Sequence, residues 1–200
     1  VQNLDMPCSM TLSYEEFNHI TGKRSASFAN GRIACDKDGM ITAAEYDIGL
    51  DHGAYGTMGN KIFNNLVSVG FHGYNVPNFK ALARGASTNQ AFCAAYRGFG
   101  APQVYTTTEA LIDLIAEKAG IDAWEIRYKN AARPGDLTIN NRPYHEYVYP
   151  ELLEKAKPFY DEYKAEAEAA KKDGRHVGVG LSMGGFLVTI GMFDQAEIAL

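Results

Sequence analysis

The sequence is poor in cysteine, and the few cysteines it has are far apart. Its 200 residues contain Cys8, Cys35 and Cys93, with no Cys-x-x-Cys pair among them. Zinc and iron–sulfur sites need clustered thiolates, so this chain alone does not build such a framework. A reducing compartment is the default for so few cysteines, and we expect a cytoplasmic location.

Long apolar runs and an excess of charge of either sign are also missing. No stretch approaches the roughly 20 apolar residues that a membrane-spanning helix needs, and the N-terminus lacks the basic and apolar start of a signal peptide. With 19 basic and 24 acidic residues, the net charge is −5. We therefore expect neither a membrane nor a nucleic acid as partner.

Length and composition are those of a globular protein. Hydrophobic residues make up 46% of the sequence, enough for a core in one domain or one and a half. The sequence starts without Met, and residues 195–200 alternate like a strand still in progress. We expect the chain to be an interior fragment of a longer polypeptide.

Hydrophobic periodicity and turn signals predict strands first, then helices, then strands again. Alternation predicts strands at residues 8–14, 25–35, 40–51, 79–87, 176–183 and 194–200. Helical spacing and caps predict helices at residues 61–69, 102–119, 122–130 and 149–172. Residues 14–17 start a short helix or a turn. This order predicts an α+β fold, in which helices pack on a mixed or antiparallel sheet.

The helix at 102–119 is the most strongly patterned element. It places an apolar stripe toward a core, formed by Val104, Leu111, Leu114 and Ile115. Its acidic residues are expected to face away from that stripe, namely Glu109, Asp113 and Glu117. We assign residues 1–174 to a first domain and residues 175–200 to the start of a following strand region.

Several familiar site motifs are present only in part. Residues 21–24, Thr-Gly-Lys-Arg, lack the earlier glycine of a phosphate loop, since position 17 is Phe. Residues 178–183 lack the third glycine of a dinucleotide fingerprint. Residues 180–184 read Gly-x-Ser-x-Gly without a following helix or a placed His–Asp pair. The sequence therefore does not favour a phosphate loop or a dinucleotide site, and the Gly-x-Ser-x-Gly match is taken as a coincidence in a glycine-rich strand.

Residues 95–103 form the one stretch that suggests a ligand. They read Ala-Tyr-Arg-Gly-Phe-Gly-Ala-Pro-Gln, with Arg97 and Phe99 beside glycines at the start of a helix. A guanidinium keeps its charge and offers five fixed donors, and a helix N-terminus adds a positive partial charge. An anion site is one interpretation. A surface turn with a solvated Arg97 and a half-buried Phe99 is the other.

The same stretch resembles a signature of the molybdenum hydroxylases, the family of xanthine dehydrogenase and aldehyde oxidoreductase. The resemblance extends to the turns and helix end on either side, at residues 73–78, 88–89, 125–130 and 133–136. It is greatest for bacterial aldehyde oxidoreductases. The resemblance implies an interior piece of the molybdopterin-binding subunit, with a partial molybdopterin-binding domain.

The resemblance also implies a cofactor and the residues that bind it. The cofactor is a molybdenum–molybdopterin, expected in its cytosine dinucleotide form, with no direct protein ligand to the metal. The cofactor-binding residues are Arg97, Tyr96 and Gly98. The [2Fe–2S] clusters lie elsewhere in the complex.

On the substrate side, the resemblance implies that the Phe99 ring stacks against a flat substrate. The resemblance also assigns four residues to the family's substrate funnel: Met58, Lys61, Asn65 and Ile190. Met58 and Ile190 suit core packing equally well. Many relatives carry Arg where this chain has Asn65. Because an amide has no charge, this difference argues against xanthine as the substrate, and Lys61 could supply a cation one turn earlier.

The implied reaction is oxidative hydroxylation of an aldehyde or a heteroaromatic substrate, with oxygen from water. Its general base, a Glu, and the cluster cysteines fall outside these residues, so this piece holds no catalytic residue and is expected to be inactive alone. Partners are the rest of the molybdenum subunit, an iron–sulfur domain and a second copy of the parent. The alternative is a non-catalytic packing or binding module without its own cofactor. Molybdenum content separates the two.

Overall fold

A computed structural model describes residues 6–55 and 59–185. Within these ranges the chain forms three strands and five helices, in the order α1 (Tyr14–Ile20), β1 (Ser27–Cys35), β2 (Ile41–Asp51), α2 (Gly59–Val69), β3 (Phe79–Ala86), α3 (Ala101–Ala119), α4 (Ala123–Asn130) and α5 (Val148–Lys172). None of these helices is long and apolar enough to cross a bilayer.

The strands form a mixed sheet in the order β1-β2-β3. β1 and β2 are antiparallel, and the turn between them is held by the Asp36 carboxylate, which accepts hydrogen bonds from the N–H groups of Asp38 and Met40, each at 2.9 Å. β2 and β3 are parallel, and α2 makes the crossover that parallel neighbours require. The α+β class and the mixed sheet are therefore confirmed.

The core lies between this sheet and helices α2 and α3. β2 contributes alternate buried residues, including Tyr46, Ile48 and Leu50, as expected for a strand with one face on the core. The Tyr46 ring stacks on Phe71 with centroids 5.1 Å apart, and its hydroxyl pairs with Thr108 of α3. Aromatic stacking and a satisfied hydroxyl thus join the sheet to α3.

The predicted apolar stripe of α3 is buried at three of its four positions. Val104, Leu111 and Ile115 are buried, but Leu114 is 50% exposed. The prediction that Glu109 faces away from the core is wrong, since this residue is only 9% exposed. Its burial has a cause outside the helix, namely Arg127 of α4.

The buried Glu109 and Arg127 form a charged network between α3 and α4. Arg127 Nε donates to Glu109 Oε2 at 3.0 Å, and its NH2 group donates to Asp113 Oδ1 at 2.7 Å. The Tyr74 hydroxyl donates to Glu109 Oε1 at 2.7 Å, and burial, aided by the Glu109 charge, raises the pKa of Tyr74 well above its ordinary value. The cost of burying these charges is offset because Arg127 pairs with both Glu109 and Asp113.

Helices α4 and α5 follow the predicted boundaries closely. Gly120 closes α3 in a left-handed conformation, and Asp122 caps α4 by accepting from the N–H groups of Trp124 and Glu125. The Trp124 indole donates to the Leu153 carbonyl at 2.8 Å, which ties α5 to α4. Residues 61–69 and 79–87 likewise coincide with α2 and β3 to within two residues.

Two predicted strands are wrong. Residues 8–13 are irregular and lead into α1, where Ser13 and Glu16 form a capping box. Residues 176–183 are also irregular, and the Met183 N–H donates to a side chain, Glu109 Oε2, at 2.9 Å. Alternation predicts a strand only where a neighbouring strand completes its hydrogen bonds. The predicted strand at 194–200 lies outside the described residues.

Candidate functional site

Residues 96–100 form a loop directly before α3, and its backbone is unusual. Gly98, Phe99 and Gly100 have φ values of 91°, 42° and 95°, so three successive residues lie in the left-handed region. This region is open to glycine but disfavoured for a side chain such as that of Phe99. The loop closes with hydrogen bonds from Phe99 N to the Tyr96 carbonyl and from Ala101 N to the Gly98 carbonyl.

Close packing also requires both glycines. A Cβ at Gly98 would lie 2.7 Å from the Pro102 ring, and a Cβ at Gly100 would lie 3.0 Å from the Ile62 carbonyl oxygen. Gly100 therefore lets the start of α3 approach the backbone of α2. Gly98 is therefore required by the adjoining first turn of α3, and Gly100 by the contact between α2 and α3.

The segment before the loop is anchored on two sides. The Cys93 N–H donates to the His52 carbonyl at 3.0 Å. Lys23 N donates to the Phe92 carbonyl at 3.1 Å, and Ala94 N donates to the Lys23 carbonyl at 3.0 Å. A short parallel bridge between Lys23 and Cys93 therefore lies directly before residue 95, and it brings residues 21–24 beside the loop.

Two side chains from other elements bind the loop carbonyls. Arg24 NH2 donates to the Arg97 carbonyl at 2.5 Å, and the Arg24 guanidinium lies 4.9 Å from the centroid of the Tyr96 ring. Asn65 of α2 donates from Nδ2 to the Phe99 carbonyl at 2.7 Å. The loop is thus held from the β1 side and from α2.

The side chain of Arg97 is available for a ligand. Arg97 and Tyr96 are exposed, and within residues 6–55 and 59–185 the Arg97 guanidinium has no hydrogen bond or ion pair. The nearby N-terminus of α3 has no side-chain cap, so its positive partial charge is not offset. An exposed guanidinium that has no partner in this part of the chain suits an oxygen-rich anion.

Of the other predicted site residues, the structure describes Lys61 and Phe99 but not Met58 or Ile190. Lys61 is exposed in the first turn of α2, one turn before Asn65. Phe99 is half-buried and packs against the core. Met58 and Ile190 lie outside the described residues. No group of three or more His, Cys, Asp or Glu able to hold a metal occurs among residues 6–55 and 59–185.

Sequence reasoning missed Arg24 as a residue of this site. Its motif, residues 21–24, resembles only part of a phosphate loop, whereas in the structure Arg24 donates to the carbonyl of a residue 73 positions later. The only sequence signal was a conformationally free glycine next to two cations. That signal does not say which distant carbonyl the guanidinium binds.

Residues 1–131 match the family described as the molybdopterin cofactor-binding domain. The chain belongs to this family. The matched range contains Arg24, Asn65 and the whole of the loop. This molybdopterin-binding domain thus carries Arg97 on a glycine-containing loop, where its guanidinium has no partner among the residues that the structure describes. The resemblance to molybdenum hydroxylases is confirmed.

Curated relatives agree with this assignment. The chain is 36% identical to the aldehyde oxidoreductase of Megalodesulfovibrio gigas over 181 residues, which are 89% of this chain and 20% of that protein. It is 31% identical to the xanthine dehydrogenase molybdenum-binding subunit of Escherichia coli O157:H7 over 178 residues, 87% of this chain and 24% of that protein. The chain therefore spans about a fifth to a quarter of the length of these relatives.

A solved structure shows the same fold. The aldehyde oxidoreductase from Desulfovibrio gigas superposes with a TM-score of 0.75 at 37% identity, covering 81% of this chain and 18% of that one. The molybdopterin-binding domain is thus similar in both sequence and backbone to a piece of an aldehyde oxidoreductase.

Proposed function

We propose that this chain forms one wall of the active site of a molybdenum-dependent oxidoreductase that hydroxylates aldehydes or N-heterocycles. One observation carries the proposal: the exposed Arg97 guanidinium has no partner within the described ranges. The relatives named aldehyde oxidoreductase and xanthine dehydrogenase support the reaction class.

Arg97, Tyr96 and Gly98 would hold the cofactor. The Arg97 fork donates to anionic oxygens, the Tyr96 ring offers a flat apolar surface, and the absence of a Cβ at Gly98 allows close approach. When bound, the molybdenum centre supplies the two-electron oxidation. The balance for an aldehyde is RCHO plus water giving RCOOH, two protons and two electrons.

The cofactor is proposed in its cytosine dinucleotide form, and the electrons are proposed to leave through [2Fe–2S] clusters on another part of the complex. Both proposals rest on similarity to a bacterial aldehyde oxidoreductase. Residues 1–174 would belong to a first cofactor-binding domain, and residues 175–200 would start the next strand region. The complete protein would be a cytoplasmic homodimer.

The proposed substrate is a small aldehyde or a heteroaromatic compound. Phe99 supplies an aromatic ring, and Asn65 and Lys61 supply polar groups one helical turn apart on α2. Met58 and Ile190 are proposed to complete the funnel. Since Asn65 carries no charge and already donates to the Phe99 carbonyl, the proposal favours an aldehyde over xanthine.

Isotope labelling tests the reaction class. The protein that carries this chain is incubated with an N-heterocycle in labelled water, and with an aldehyde in ordinary water under labelled dioxygen. We expect label in the hydroxylated heterocycle and none in the carboxylic acid from dioxygen. Incorporation from dioxygen, or no oxidation of either substrate class, would contradict the proposal.

Phe99→Ala is expected to raise KM for aromatic aldehydes about 2- to 12-fold more than KM for short aliphatic ones. The reason is the loss of ring stacking, worth about 0.5–1.5 kcal/mol. Steady-state kinetics with both substrate sets measure this ratio. Phe159→Ala, which removes a 61% exposed ring of α5, is the control and should leave both KM values unchanged. An equal rise for both sets would exclude a stacking role.

A further inference from the structure

The left-handed run at Gly98, Phe99 and Gly100 needs external support. Disfavoured backbone conformations persist only where the surroundings over-determine them. The internal hydrogen bonds of the loop use the carbonyls of Tyr96 and Gly98. The carbonyls of Arg97 and Phe99, which alternate with these, are instead bound by side chains from elsewhere in the fold.

Arg24 supports the first half of the loop. Its guanidinium donates to the Arg97 carbonyl at 2.5 Å, lies 4.9 Å from the Tyr96 ring centroid, and reaches Gln103 Oε1 in the first turn of α3 at 3.5 Å. The Arg24 backbone is itself held in place, because its neighbour Lys23 forms the bridge to Cys93. A planar, delocalised cation can make these contacts together, whereas an ammonium group cannot.

Asn65 supports the second half. Its Nδ2 donates to the Phe99 carbonyl at 2.7 Å from a partly buried position on α2. The same helix contacts Gly100, since a Cβ there would lie 3.0 Å from the Ile62 carbonyl and 3.1 Å from Leu66 Cβ. The Phe99 carbonyl is therefore fixed relative to a rigid helix.

We propose that Arg24 and Asn65 are positioning residues, a two-sided clamp that fixes the loop so that Arg97 and Phe99 face the ligand in one geometry. This inference rests on the proposed function for the role of Arg97 and Phe99. It assigns Asn65 a structural task in addition to the substrate contact predicted from sequence. It also brings Arg24 into the site.

Limited trypsin digestion of the intact protein under native conditions tests the clamp. The test variants are Arg24→Gln and Asn65→Leu. The controls are Arg32→Gln, which removes an exposed arginine paired with Glu45, and Asn64→Leu, which changes the exposed neighbour on α2. Mass spectrometry follows cleavage after Arg97, and cleavage after the fully buried Arg127 reports global unfolding.

We expect both test variants to be cleaved after Arg97 about tenfold faster than both controls, with cleavage after Arg127 unchanged. Arg24→Lys, which keeps a donor but not the fork, should fall between wild type and Arg24→Gln. The test variants should also lose bound pterin and show a lower kcat. Their KM for aromatic aldehydes, which Phe99 is proposed to stack against, should be shifted. The controls should match wild type in each measurement.

Equal cleavage after Arg97 in test and control variants, with unchanged kinetics, would overturn the clamp. So would faster cleavage after Arg97 and Arg127 together, since that pattern reports general unfolding. All variants and the wild type are compared after any bound pterin has been removed, so the cleavage readout does not depend on the cofactor. Faster cleavage in the test variants, together with a wild type that binds no pterin, would therefore support the clamp and reject the proposed function alone.

Discussion

Arg127→Met is expected to lower the free energy of unfolding by about 3–5 kcal/mol. The substitution leaves the Glu109 carboxylate buried without the guanidinium that donates to Oε2 at 3.0 Å, and a buried charge without its partner is strongly destabilising. The same oxygen accepts from the Met183 N–H, so the loss also loosens the contact between residues 181–185 and α3. Denaturant titration of the variant and the wild type measures the change.

Two matched variants separate burial of charge from loss of side-chain volume. Arg84→Met breaks the exposed pair with Asp47 and should cost less than about 1 kcal/mol. The double variant Arg127→Met with Glu109→Leu removes both buried charges, so it should be more stable than Arg127→Met alone. An effect of Arg127→Met no larger than that of Arg84→Met would contradict the network as described.

Arg97→Ala is expected to reduce turnover by about 100- to 1000-fold while leaving stability almost unchanged. Removing a fixed donor aimed at developing or resident negative charge costs about 2.7–4 kcal/mol in comparable sites. The Arg97 side chain is exposed and makes no bond within the described ranges, so its free energy of unfolding should change by less than about 0.5 kcal/mol. Initial rates with an aldehyde, together with thermal melting, measure both quantities.

Arg142→Ala is the control for this variant, because it removes another exposed arginine, at a turn between α4 and α5. It should retain wild-type turnover and cofactor content. Full turnover in Arg97→Ala would remove the central role given to this side chain. A large loss of stability in Arg97→Ala would show that the guanidinium serves the fold instead.

Much of the fold could be predicted from the sequence because its signals are local. The helices predicted at 102–119 and 122–130 agree with α3 and α4 to within a residue, because a glycine ends α3 and an aspartate caps α4. Burial of Glu109 could not be predicted, because its partner Arg127 lies 18 residues away on another helix. Residues 176–183 alternate like a strand, but among residues 6–55 and 59–185 no neighbouring strand completes their hydrogen bonds.

In the candidate site, too, residues with local sequence signals could be predicted and residues with distant partners could not. Arg97 and Phe99 stand out because glycines and a helix start flank them in sequence. The supports of the loop do not, since the Arg24 and Asn65 hydrogen bonds span 73 and 34 positions. A residue type indicates what a side chain can donate, but the acceptor is fixed only when the elements pack together.

Molybdenum and pterin content of the purified protein tests the account most directly. The protein that carries this chain is produced in cells supplied with molybdate, and metal analysis is combined with fluorescence of the oxidised pterin. The account predicts equimolar molybdenum and pterin in the wild type and a strong loss of both in Arg97→Ala, with Arg142→Ala unchanged. A wild-type protein that is folded and contains neither molybdenum nor pterin would contradict it.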